Sequence, residues 1–320
     1  MWHRRAKSLA DSWTPPARSE PILSSTDRKH IVDALIEERA PFLFGNPVTT
    51  WALRRALRKA LGYDEAVANV DRITPLPGHE IMALGLRQIG MDVRTLGLYR
   101  LPAHGRVVIV PNHPTGLADG VAVWAALRRV RTDFHFLANG DAIRLAPGLA
   151  DLMIPVEWVK TKRNPAGSRR LLSDVAAAFR RVEALVMFPA GRIAYMTLRG
   201  LRERPWLSTV VTLARKFDAP ILPLHVRARN SWLFYALSQI SHELRDVTLF
   251  RELLNKGGRR FELTFGDLID PADLPADAGE AVELLRRHVE DELPRASRQH
   301  PALPKRRRGG AELAARTRSA

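Results

Sequence analysis

Short runs of consecutive β-branched and aliphatic residues recur from about residue 105 onward. They are GRVVIVPNHP (105–114), DFHFLAN (133–139), IPVEWV (154–159), ALVMFPAG (184–191), PILPLHVRA (220–228) and RRFELTFGDLI (259–269). Between and after them, apolar residues return at helical spacing over 117–130, 141–152, 167–182, 205–218, 231–245 and 278–293. Strands alternating with helices of this length predict an α/β fold, a mostly parallel central sheet flanked by helices. Strands that are apolar throughout fit it, because such strands are buried on both faces. The rhythm differs before residue 92, where no strand-like alternation occurs. Helices are expected over about 26–44, 48–61 and 79–89, with Asn46-Pro47 as a break. The chain thus divides into a loose arm (1–20), an N-terminal helical region (21–91), a main domain (92–294) and a basic tail without expected structure (295–320).

Charge narrows the partners. The 320 residues carry a formal charge of +16. Residues 1–19 contribute +3 and residues 295–320 contribute +7, which leaves +6 on the body. An anionic partner follows from a basic balance of this kind. Nucleic acid is the weakest of the options, because no interleaved aromatic and basic recognition motif is present. An anionic membrane surface, a phosphorylated substrate or an acidic carrier protein fit better. The chain has no cysteine, so disulfides, Cys-ligated zinc and a Cys nucleophile are excluded. No cofactor or metal is expected. No run of about 18 apolar residues predicts a membrane span, and residues 1–21 lack the apolar core of a secretion signal. The expected place is the cytoplasm, on the inner face of the cell membrane.

Two constellations carry chemistry. The first is NHPTGLADG, residues 112–120. His113 follows a buried strand, where open α/β sheets place their ligand sites. Asp119 lies too far along to share a helix face with it. Pro114 and Gly116 argue against a continuous helix, and a turn can bring the carboxylate back to the imidazole. A histidine held by an aspartate is a general-base arrangement. The same residues also suit a plain turn at Asn112, Pro114 and Gly116, with Asp119 as a helix cap. The second is Phe188-Pro189-Ala190-Gly191-Arg192. Its glycine admits close approach to the backbone, and its arginine can pair with a phosphate. A strand-end turn with a solvated arginine is the plainer reading of that segment.

Together these blocks resemble the glycerolipid acyltransferase superfamily, the lysophosphatidate acyltransferase-like enzymes. NHPTGLADG has five residues between His113 and Asp119 rather than the common four, and is closest to a hemolysin-like and ornithine-lipid acyltransferase branch. FPAGR resembles the F-P-E-G-T-R block, with Ala190 in place of the glutamate. IPVEWVKTKRN (154–164) resembles the block between them, with Arg163 as the best match to its arginine. PILPLHV (220–226) resembles the fourth block, and His225 has no catalytic role in this reading. The resemblance spans about residues 78–270. It implies transfer of a fatty acyl group from acyl-CoA or acyl-carrier protein to a hydroxyl of a lysophospholipid or other lysolipid acceptor. It implies His113 as general base with Asp119 as its partner, and substrate contacts from Asn112, Gly116, Arg163, Phe188, Pro189, Gly191 and Arg192. Backbone N–H groups near Gly116 or Gly191 are the candidates for holding the oxyanion. The alternative is a non-catalytic lipid- or carrier-binding protein on the same fold. The apolar, aromatic stretch 231–240 lines an acyl pocket, touches a bilayer or is an ordinary core helix.

Overall fold

The structure is a computed structural model that describes residues 30–39, 63–156, 165–181, 183–198, 200–240, 245 and 248–295. Met1–His30 separates as its own unit from Ile31–Ala320, and the second unit is described here. The arm, the helix expected over 48–61, Arg163 and nearly all of the basic tail lie outside the described residues.

Among the described residues three helices lead in: α1 (Ile31–Arg39), α2 (Tyr63–Ile73) and α3 (Gly78–Ile89). The pattern over 79–89 anticipated α3. It did not anticipate α2, whose buried face is only Ala66 and Val70. Then follow β1 (Asp92–Leu96), β2 (Val107–Pro111), α4 (Leu117–Leu127), β3 (Phe134–Asn139), α5 (Asp141–Leu145) and β4 (Met153–Val156). The second half runs α6 (Pro165–Arg180), β5 (Ala184–Met187), β6 (Tyr195–Thr197), β7 (Gly200–Arg202), α7 (Thr209–Lys216) and β8 (Ile221–Arg227). It ends with α8 (Trp232–Ile240), α9 (Leu249–Leu254), β9 (Arg260–Phe265) and α10 (Ala278–Arg287), closed by one π-helical turn, His288–Glu292.

Seven strands form one sheet in the order β1-β9-β8-β2-β5-β3-β4. The block β8-β2-β5-β3-β4 is parallel throughout. β9 runs antiparallel to β8, and β1 runs parallel to β9. The sheet is therefore mostly parallel with two reversed strands at one edge. Sequence supports the difference. β2 is buried at every position. β9 alternates, with Phe261, Leu263 and Phe265 buried and Glu262 turned to Arg227 at 3.0 Å. Alternate residues of each central strand feed two cores. Val107 and Ile109 of β2 join Trp124 of α4 and Ile81 of α3 on one face. Val108 and Val110 join Phe179 of α6, Val210 of α7 and Leu285 of α10 on the other. Both faces are covered, so the layers stack α/β/α. The short antiparallel hairpin β6-β7 stands apart from this sheet.

Candidate active site

β2 and β5 are parallel neighbours, so their C-terminal ends open on the same edge of the sheet. NHPTG leaves β2 and FPAGR leaves β5. Segments 75 residues apart in sequence meet because adjacent parallel strands end together.

Asn112 ties the first loop to the sheet. Its Nδ2 donates to the Val226 carbonyl (3.0 Å), and its Oδ1 accepts from the Val226 N–H (2.6 Å). The side chain thus extends the β2-β8 ladder by one rung. The chain then turns through Pro114 and Gly116 into α4, and the turn returns Asp119 to His113. His113 Nδ1 lies 3.0 Å from Asp119 Oδ2, off the straight line that an N–H···O bond prefers. Asp119 is wholly buried, and the His113 side chain is 19% exposed. The Asp119 carboxylate also accepts from the N–H groups of Thr115 (2.8 Å) and Gly116 (3.0 Å) and from the Thr115 hydroxyl. Helix cap and histidine partner are therefore the same group. Gly116 has φ +86°, and a Cβ there would meet Ile193 Cδ1 at 2.7 Å. Only glycine suits that position.

The second loop closes over the first. Phe188 packs its ring 4.2 Å from the His113 ring, tilted by 36°. Pro189 and Ala190 turn the chain so that Gly191 N–H reaches the Phe188 carbonyl (3.0 Å), and the Pro189 carbonyl accepts from Leu207 (3.0 Å). Arg192 is exposed. Ile193 covers Gly116, and Ala194 N–H donates to the His113 carbonyl at 2.9 Å. Both loops thus converge on one partly exposed imidazole backed by a buried carboxylate. An imidazole so placed can accept a proton at Nε2 while Asp119 fixes the other nitrogen.

The Acyltransferase family model matches residues 92–227, a span that includes β2, β5, β8 and both loops. Over 196 residues the chain is 32% identical to a lyso-glycine lipid O-acyltransferase of Phocaeicola vulgatus, covering 59% of this chain and 68% of that one. The chain belongs to the glycerolipid acyltransferase superfamily. A lyso-glycine lipid O-acyltransferase of Bacteroides thetaiotaomicron is 26% identical over 239 residues, 71% of this chain and 86% of the relative. The solved 1-acyl-sn-glycerophosphate acyltransferase PlsC from Thermotoga maritima aligns with TM-score 0.46 at 14% identity, covering 83% and 88% of the two chains. The protein is an enzyme, an O-acyltransferase directed at lipid acceptors.

Around the histidine of this acyltransferase the structure adds groups the motifs did not mark. Glu203, between β7 and α7, is 5% exposed. Its Oε1 accepts the His113 backbone N–H (2.9 Å), and its Oε2 accepts the Trp206 indole N–H (3.3 Å). Position 190 holds Ala190, and the buried carboxylate at the His113 backbone is that of Glu203. Burial pushes the Glu203 carboxyl up to about 7, against the opposing pull of the His113 N–H and imidazole. The folded protein therefore holds a proton that the unfolded chain releases, and stability falls as pH rises from about 4.5 to about 7. Glu203→Gln should lose that slope. Its unfolding free energy should gain on the wild type by about 3 kcal/mol across the window, measured by urea denaturation at several pH values. Parallel pH profiles for the two proteins would refute the titration.

A second buried network lies behind Asp119. Asn230 Nδ2 donates to the Thr115 carbonyl (3.3 Å), and its N–H donates to the Tyr235 hydroxyl (3.1 Å). Burial pushes the Tyr235 hydroxyl up to about 12. Next to Asn230, Ser231 donates through its N–H (2.8 Å) and hydroxyl to Glu252, which pairs with Lys256 at 2.9 Å. Chain separation hid these partners. Only the polar residues inside an otherwise apolar stretch hinted at them.

Two expectations change. The N–H of Gly116 is engaged by Asp119 and that of Gly191 by Phe188, so neither is free for an oxyanion in this conformation. The stretch 231–240 is neither uniformly core nor uniformly surface. Phe234 and Tyr235 are buried, whereas Trp232 is 78% exposed. His225 is half-buried, hydrogen-bonded to the Val289 carbonyl (2.9 Å) and pushed down to about 4 by desolvation, which keeps it neutral and structural.

Proposed function

We propose that the protein transfers a fatty acyl group from a thioester, acyl-CoA or acyl-carrier protein, to the hydroxyl of a lyso-glycine lipid or a closely similar lysolipid. The observation that carries the mechanism is His113 Nδ1 at 3.0 Å from the buried Asp119 carboxylate, with the imidazole at the open end of β2. His113 Nε2 takes the proton from the acceptor hydroxyl as its oxygen attacks the thioester carbonyl. Asp119 fixes the tautomer and stabilises the imidazolium. Collapse of the tetrahedral intermediate breaks the C–S bond, and the imidazolium returns its proton to the departing sulfur. The products are an ester and a free thiol. Phe188 orients the imidazole by stacking, Asn112 and Gly116 shape its loop, and the Pro189-Gly191 turn leads into Ile193 and Ala194, which hold that loop. Arg192 and Arg163 are assigned to substrate binding. The acceptor class is supported by the two relatives, which are lyso-glycine lipid O-acyltransferases.

No described helix is long and apolar enough to cross a membrane. Leu198 at the tip of the β6-β7 hairpin and Trp232 at the start of α8 are both exposed. They support docking on a membrane surface, and the basic balance of the chain suits an anionic one; the proposed place is the cytoplasm, on the inner face of the cell membrane. Thiol release should be followed with both donors against lyso-glycine lipid, lyso-ornithine lipid and lysophosphatidate. Release that depends on acceptor and is fastest with lyso-glycine lipid is expected. Acceptor-independent release, or none from a folded protein, would return the non-catalytic binding reading.

A further inference from the structure

Both backbone groups of His113 are held by one hairpin. Ala194, one residue before β6, donates its N–H to the His113 carbonyl (2.9 Å). Glu203, one residue after β7, accepts the His113 N–H (2.9 Å). The two strands pair as Tyr195↔Arg202, Met196↔Leu201 and Thr197↔Gly200. One more step of that register sets Ala194 opposite Glu203, so His113 sits between the two feet of the hairpin. Apart from its feet, the hairpin is lightly supported. It lies outside the central sheet. Alternation turns Met196 and Leu201 to one face, where they join a small separate cluster with Ile193, Phe234 and Tyr235. The other face borders an open groove of about 690 Å3, with Tyr195 and Thr197 on the hairpin side and Glu283 and Arg286 of α10 across it. At the tip, Leu198 projects wholly into solvent.

A single exposed leucine is ordinary on a protein surface. Its place is what matters. β5, β2 and β8 are parallel neighbours that end at the edge where His113 opens. Each of the three segments that leave them exposes a large apolar side chain: Leu117 after β2, Leu198 with Tyr195 after β5, and Trp232 after β8. The acceptor of an enzyme of this family is a lipid, and the chain carries +16. A lipid surface of negative charge suits both features. A two-stranded ribbon is marginal by itself in water, so what its tip touches bears on how firmly its feet hold His113.

We propose that Leu198 inserts into an anionic lipid bilayer and that the β6-β7 hairpin carries this contact to the backbone of His113. The proposal deepens the docking reading above and rests on His113 as the general base. Each strand has only three residues, so base and tip move together. Release of His113 from Ala194 and Glu203 then draws Leu198 out of the bilayer. The docked enzyme holds its histidine in place more firmly than the enzyme in solution, at the surface where the lipid acceptor is found.

The test is hydrogen exchange of the full chain, read at single amides, with and without vesicles of equal phosphatidylglycerol and phosphatidylcholine. No substrate is present, so the readout is independent of turnover. Exchange of a hydrogen-bonded amide passes through local opening. Vesicles should slow the His113 and Ala194 amides about tenfold, the effect of burying a leucine side chain. The Arg131 amide, bonded to the Leu127 carbonyl at the far end of α4, should not change. Leu198→Ser should remove the slowing, and Leu198→Trp should keep it. An N-terminal hexahistidine tag then tethers each protein to vesicles that carry a nickel-chelating lipid, which separates insertion from mere proximity. Tethered Leu198→Ser should still exchange at its vesicle-free rate. The proposal is overturned if vesicles leave both wild-type amides unchanged, if tethered Leu198→Ser is slowed as much as the wild type, or if Arg131 slows with them. It is also overturned if an acyl-carrier protein slows the two amides and vesicles do not. Slowed amides in a protein that releases no thiol with any acceptor would remove the general-base reading and keep the membrane contact. Acceptor-dependent release with unchanged amides would do the reverse.

Discussion

His113→Ala should lower acceptor-dependent thiol release by about 10²–10⁴-fold and leave the protein folded. The two effects separate because the loop is held by its backbone. His113 N–H goes to Glu203 and its carbonyl accepts from Ala194, and both bonds survive loss of the imidazole. What the fold loses is the stacking against Phe188 at 4.2 Å, a pair contribution of about 0.5–1.5 kcal/mol. Asp119→Asn should behave differently. An amide oxygen in the place of Oδ2 still accepts from the Thr115 and Gly116 N–H groups, with the NH2 turned to the Thr115 hydroxyl, but these bonds lose their charge assistance and a neutral amide cannot stabilise the imidazolium. Activity should drop steeply together with a stability loss of about 1–3 kcal/mol. Initial rates and urea midpoints for the two variants distinguish a base from a mere loop residue. Near-full activity of folded His113→Ala would end the general-base mechanism.

The central sheet was legible because its strands are buried on both faces. VVIVP and ALVM have no polar position to confuse their period. The reversed strand β9 was less so, since its direction is set by the connection through α8 and α9 and not by its own residues, and β1 was not among the expected strands. The hairpin β6-β7 was missed altogether. Each of its strands has three residues, too short for alternation to register. At the site, NHPTGLADG showed both the histidine and its carboxylate because the turn joining them is local. Glu203 was invisible for the opposite reason. In sequence it is one acidic residue in the charged run LRERP, where a solvated face is the ordinary expectation. Burial beside the His113 backbone is made by the fold, through a contact spanning 90 residues.

Lys256→Met should destabilise the enzyme by about 3 kcal/mol, more than any exposed charge in the chain. Lys256 and Glu252 are 3% and 2% exposed, and removing one member of a buried pair leaves the other charge uncompensated, at a cost of about 3–5 kcal/mol. The lower end applies here. Glu252 keeps the Ser231 N–H (2.8 Å), the Ser231 hydroxyl and Asn255 Nδ2 (3.0 Å). Burial works to raise the Glu252 carboxyl, and the Ser231 and Lys256 contacts outweigh it and hold it below its ordinary value. Without Lys256 that balance tips, and the carboxyl should take up a proton at higher pH. Lys256→Met should therefore be most destabilised at neutral pH and recover as pH falls and Glu252 becomes neutral. Lys256→Met/Glu252→Gln should regain most of the loss at every pH, since the amide oxygen still accepts from Ser231 and no charge remains. The effect should reach the chemistry as well. Ser231 follows Asn230, whose amide holds the Thr115 carbonyl, and Thr115 in turn binds Asp119. A loosened Glu252 slackens this chain, so the single variant should lose kcat while the double variant recovers it. A single variant as stable as the wild type at neutral pH, or a double variant no better than the single, would show that the ion pair does not anchor the network behind Asp119.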